Sequence, residues 1–159
     1  MTISLFLSAL LLLMASAAPA ADLQVSAGKV VGADLNDDPV AVELALVNDK
    51  WTIGISHLAS QSWTDRQGTT GEVNEYWLVS GHYRVQADVG DFVLEFSPGL
   101  SLRSRGHNVG YLLPSTVNAS LTFGLSRGPV VLEWRHHSNA NTRDTNIGQD
   151  WLQIGYRFK

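Results

Sequence analysis

Cysteine is absent from the 159-residue chain, which excludes thiol catalysis, cysteine-ligated zinc and disulfide staples. Positive charge is scarce: 11 Lys and Arg are outnumbered by 15 Asp and Glu, for a formal net charge of −4, and the cations form no cluster. Nucleic-acid binding requires a concentrated basic surface, so no nucleic-acid partner is expected. After residue 15 no apolar run approaches the ~20 residues that a helix needs to cross a bilayer. A hydrophobic period of about 3.6 residues is missing there as well, so no helical domain is expected.

The one long apolar run stands at the start. Residues 4–15 (SLFLSALLLLMA) have the length of the hydrophobic region of a secretory signal and are shorter than a membrane anchor, and Ala18-Pro19-Ala20 forms an A-x-A cleavage pattern. The sequence therefore predicts a signal peptide over 1–21, export, and a single domain over 22–159.

What fills that domain is a period of two. Val40, Val42, Leu44 and Leu46 alternate with Ala41, Glu43 and Ala45, and Trp77, Val79, Tyr83 and Val85 alternate with Leu78, Ser80, His82 and Arg84. The same stripe recurs at Trp51, Ile53 and Ile55, at Phe92, Leu94 and Phe96, at Val117 to Leu125, at Leu132 and Trp134, and at Leu152 to Phe158. With a less regular segment from about Leu23 to Ala33, this predicts eight β-strands.

The links between strands alternate in length. Short ones fall near 48–50, 87–90 and 127–129, and long ones near 59–74, 103–114 and 139–149; only the first link on the long-loop side, 34–38, is brief. Short turns at one end, long loops at the other and an even number of strands are the signature of an outer-membrane barrel. Its apolar stripes would face lipid, and Trp51, Tyr83, Tyr156, Phe158 and Trp77 would form the interfacial aromatic girdles. Glu43, His82, Arg84, Glu95, Asn118, Ser120, Glu133, Arg135, Gln153 and Arg157 share the opposite parity and would fill the interior. Parity alone fits a soluble barrel with the apolar face inward equally well; the loop alternation favours the membrane. The expected fold is thus an all-β, eight-stranded antiparallel transmembrane barrel, in the outer membrane of a Gram-negative bacterium.

One stretch departs from its own stripe. In EWRHHSNA (residues 133–140), Leu132, Trp134, His136 and Ser138 share a face, so a histidine and a serine end an apolar row on the side turned to lipid. Polar groups in contact with lipid are costly unless they serve a function. Asp150, at the start of the last strand, shares parity with Leu152 and Ile154 and faces the same way. Serine, histidine and aspartate on one external patch form the constellation of an activated hydroxyl nucleophile.

The segment HHSNANTRDTNIGQD (136–150) resembles the active-site segment of outer-membrane lipid A 3-O-deacylases of the PagL type, in which His-x-Ser-Asn ends one strand and an acid begins the next. The resemblance implies an eight-stranded barrel with Ser138 as nucleophile, His136 as general base and Asp150 as the acid that orients the imidazole. It further implies that Asn139, the amides that follow from Ala140, and Asn146 lie near the oxyanion, with lipid A of lipopolysaccharide as substrate and no cofactor. Two departures stand out: the acid of the best-known members is glutamate, one methylene longer, and the residue between His136 and Ser138 is a second histidine.

Other readings of these residues are weaker. His136 and His137 are adjacent on a strand and point to opposite faces, which makes them poor joint ligands, and no metal site is expected. Asp144 to Asp150 resembles a calcium loop only superficially, because its glycine is misplaced and no downstream glutamate follows. His57, His82 and His107 read as loop or lumen residues. Arg66, Arg103, Arg105 and Arg143 fall in the long loops, where Arg103 and Arg105 are candidates for contacts to substrate phosphates. A non-enzymatic small barrel (adhesin or structural protein) and a phospholipase remain open as alternatives, as does the choice between monomer and homodimer.

Overall fold

A computed structural model describes residues 21–31, 39–64, 68–104, 113, 115–139 and 148–159. The proposed signal peptide therefore lies outside the described residues, apart from Ala21. Among the described residues eleven strands form: β1 (Asp22–Val31), β2 (Val40–Val47), β3 (Trp51–Leu58), β4 (Gln61–Thr64), β5 (Thr70–Val73), β6 (Tyr76–Tyr83), β7 (Val85–Val89), β8 (Phe92–Arg103), β9 (Val117–Arg127), β10 (Val130–Ser138) and β11 (Gln149–Phe158). Strands β6 and β7 are two pieces of one stave, since both pair with β8 and only Arg84 separates them. Strands β4 and β5 pair only with each other. The remaining staves run antiparallel in chain order and β1 closes on β11, from Leu23 opposite Phe158 to Val31 opposite Asp150, which gives a closed eight-stranded barrel.

The staves end where the local chemistry ends them. The first short turn is an Asx turn, with Asn48 Oδ1 accepting from the amides of Lys50 and Trp51 at 2.9 and 2.7 Å. The other two are the two-residue turns Gly90-Asp91 and Gly128-Pro129, each opening on a glycine with positive φ (61° and 58°) as a tight hairpin requires. The long loops are at the opposite end. One of them, read from the sequence as a long link over 59–74, contains the β4–β5 hairpin, in which Trp63 lies against Gly71: a Cβ at 71 would sit 2.5 Å from its Cζ2.

Parity resolves as the membrane reading expects. Val40, Val42, Leu44, Leu94, Phe96, Leu132, Leu152 and Ile154 are exposed on the outer wall. Girdle residues Trp51 and Tyr83 meet edge to face at 5.1 Å, and Tyr156 and Phe158 pack at a tilt at 4.8 Å, both pairs at the short-turn end. The inward face is polar, and its main ion pairs and hydrogen bonds join different strands. Arg135 is bidentate on Glu43, with Nη2 donating to Oε1 at 3.0 Å, and its Nε donates to Thr122 Oγ1 at 3.0 Å. Ser56 Oγ donates to Glu43 at 2.6 Å, Gln24 Nε2 to Glu133 at 3.2 Å, and Arg84 Nε to Glu95 at 2.9 Å. Towards the long loops the interior changes character: Val30, Ala41, Leu58, Val73, Tyr76, Leu78, Leu113 and Trp151 form an apolar plug, with Trp63 of the hairpin packed on it. Side chains fill an eight-stranded barrel in this way, so its interior is a core.

Candidate catalytic site on the outer face of the barrel

β10 alternates between buried positions and exposed or half-buried ones along its length, so Trp134, His136 and Ser138, all half-buried, lie outward and Glu133, Arg135 and His137 inward. On β11 the same alternation puts Asp150 outward between buried Gln149 and Trp151. The register then does the assembling. His136 is the direct cross-strand partner of Asp150 on one side and of Leu121 on the other. Directly opposed antiparallel residues are ~4.5 to 5.5 Å apart at Cα, so an acid as short as aspartate spans the gap. His136 Nδ1 and Asp150 Oδ1 are 2.9 Å apart, with the two side chains 33% and 39% exposed. With Nδ1–H donating to the carboxylate, Nε2 is left as the basic nitrogen.

Around this pair the neighbours are specific. Trp134, two residues below His136 on the same face, stacks its indole on the imidazole with centroids 6.1 Å apart and planes at 17°. Phe123 lies 5.6 Å from Trp134, and Phe96 5.1 Å from Phe123, so an aromatic row crosses the outer wall from β8 to the histidine. Gly148 has φ 74°, and a Cβ there would fall 2.7 Å from Cε1 and 3.2 Å from Nε2 of His136. The β10–β11 ladder ends at His137 opposite Gln149; one step further lie Ser138, two residues above the histidine, and Gly148. Same-face residues at that spacing are ~6.6 to 7 Å apart at Cα, within reach of a side-chain contact. Sequence reasoning misses both Trp134 and Gly148 as site residues; the signals are a tryptophan at i−2 on the histidine's own face and a lone glycine before the final strand.

The other expected site residues divide. His137 points into the barrel, with Nδ1 3.0 Å from Ser101 Oγ and its ring 4.5 Å from that of Trp151, so the two histidines share no site. Asn139 follows β10 and is 2% exposed. Arg103 is tied to the loop after β8: its guanidinium donates to the carbonyls of Leu113 at 2.6 Å, Ser115 at 3.0 Å and Ser104 at 3.2 Å. Ala140, Asn146, Arg105, Arg66, Arg143, Asp144 and His107 lie outside the described residues. His82 is a lumen residue as expected, 2.7 Å from Ser120 Oγ. His57 is not a loop or lumen residue: it stands on the outward face of β3, packed on Trp77 at 4.6 Å and paired with Glu75 at 3.4 Å. Its parity with Ile53 and Ile55 carries it outward.

The closed antiparallel barrel, apolar outside and polar within, is the fold of an outer-membrane protein. Among solved structures it is similar to the crystal structure of the outer membrane enzyme PagL, at 16% identity over 87% of this chain and 99% of that one, with a TM-score of 0.49. It is similar also to the backbone structure of the Yersinia pestis outer membrane protein Ail in a phospholipid nanodisc, at 14% identity over 87% and 99%, with a TM-score of 0.50. At these identities the likeness is one of fold. No protein-family model matches the chain, and no curated protein matches its sequence.

Proposed function

We propose that this barrel is a serine-type esterase of the outer leaflet that removes the ester-linked 3-hydroxyacyl chain at the 3-position of lipid A. The observation that carries this reading is the His136–Asp150 pair, 2.9 Å apart on the lipid-facing wall, with Ser138 two residues along the same face. In the first half-reaction His136 Nε2 takes the proton of Ser138 Oγ as the oxygen attacks the ester carbonyl, and Asp150 steadies the imidazolium that results. Collapse of the tetrahedral adduct breaks the bond to the sugar oxygen, which leaves as a hydroxyl with the proton held by His136. Water, deprotonated by the same histidine, then releases the fatty acid and restores Ser138. Backbone amides after Ser138, with Asn139 and Asn146, serve as oxyanion donors. Arg103 and Arg105 are the cations proposed to meet substrate phosphate, Arg103 with its guanidinium already donating to the carbonyls of Leu113, Ser115 and Ser104.

The test is mass spectrometry of lipid A from cells that carry the parent chain, Ser138→Ala, or neither. The parent should convert lipid A to a species lacking one 3-hydroxyacyl chain, and Ser138→Ala, inserted and folded, should leave it intact. Unaltered lipid A with the parent chain would leave a non-enzymatic barrel; loss of an acyl chain from phospholipid instead would make the protein a phospholipase.

A further inference from the structure

Trp134 occupies the centre of β10, five residues into a strand of nine, and not one of its ends. Interfacial girdles gather aromatics at strand ends, so a girdle role does not account for it. Its other outward neighbours are Phe123 and Leu152, directly across on β9 and β11, and above it is the imidazole of His136. A hydrogen bond from Nδ1 to Asp150 anchors one edge of that ring, and because the second torsion of histidine is a broad well, the residual tilt of its plane is set by what lies against its face. An indole plane at 17° to the ring, with centroids 6.1 Å apart, limits that tilt from one side. The pairing lies in the range of offset aromatic stacking. The indole face is also electron-rich, and on a poorly hydrated wall it favours the cationic ring that forms when the histidine holds the serine proton.

We infer that Trp134 is a positioning residue for His136, holding the imidazole plane so that Nε2 faces Ser138 and stabilising the imidazolium in the transition state. This inference rests on the esterase reading above. Trp134 acts through the histidine, so its loss should appear in kcat and not in KM, as for an interaction made only in the transition state.

The experiment compares the parent, Trp134→Phe and Trp134→Leu, purified in micelles, on lipid A; both replacements are apolar and keep the lipid face intact. Trp134→Leu should lower kcat about tenfold, the effect of losing a cation–π contact at a desolvated site, with KM within about twofold, and Trp134→Phe should recover most of the rate. The ring-proton resonances of His136 report the stack without reference to activity: they should move when the indole ring current is removed in Trp134→Leu. A parent without deacylase activity overturns the esterase reading, whatever the resonances do. An active parent whose Trp134→Leu variant keeps kcat, or loses only KM because the indole grips the substrate chain, overturns the positioning role alone.

Discussion

At the scale of single residues, Asp150 is the position where this chain departs most informatively from the PagL-type pattern. An aspartate reaches the imidazole because it sits directly opposite His136 in the ladder, and the carboxylate meets Nδ1 at 2.9 Å. An orienting acid fixes the tautomer and steadies the imidazolium, and its loss costs up to ~10⁴-fold. Asp150→Asn should therefore be strongly impaired, while Asp150→Glu, whose longer side chain can fold back at the exposed strand top, should remain active. Ser138→Ala and His136→Ala should abolish turnover. The check is kcat/KM on purified lipid A, and an Asp150→Asn variant at the parent rate would reduce Asp150 to a polar cap on β11.

At the scale of elements, everything rests on the register of β10. A slip by one residue would carry His136 and Ser138 into the barrel and put His137 in lipid. The inward residues resist such a slip, because Arg135 is anchored to Glu43 on β2 and His137 is in contact with Ser101 and Trp151. A spin label at 138 should be quenched by a lipid-soluble relaxation agent, and one at 137 should be shielded. The reverse pattern would remove the external site. The alternation that makes this testable is legible in residues 130–138 themselves, whereas the β4–β5 hairpin is not. Its strands are four residues each, too short to show a period, and they are held by Trp63 on Gly71 and by the plug below.

At the scale of the whole molecule, the lumen holds the barrel together through charges that must balance. Arg135 serves two carboxylates, Glu43 directly and Glu133 at 3.6 Å, and all three side chains are buried. Breaking a buried ion pair by removing one partner costs about 3–5 kcal/mol. Removing Glu43 leaves Arg135 beside Glu133, whereas removing Arg135 leaves two buried carboxylates without their shared cation. Arg135→Met should thus lower the urea midpoint of the barrel, refolded into vesicles, more than Glu43→Gln does. The opposite order would show that the arginine is held mainly by Thr122 and by the Trp151 ring, whose centroid lies 6.0 Å from its guanidinium carbon, and not by charge.

The number of staves, the side of the long loops and the face on which each residue stands are determined by the sequence, because the two-residue period of a strand is a local property that neighbouring side chains display directly. That period alone suffices to place His136, Ser138 and Asp150 on one wall. It places His57 there too, once its parity with Ile53 and Ile55 is followed to the end of the strand. What the tertiary structure decides is what meets across strands: which face turns inward when β1 closes on β11, Arg135 against a glutamate 92 residues away, the apolar plug under the loops, and Asp150 level with the histidine. Parity is unchanged by sliding one strand past another two residues at a time or by turning the sheet inside out, so only closure and register, which are set by the packing of the whole interior, could choose among those arrangements.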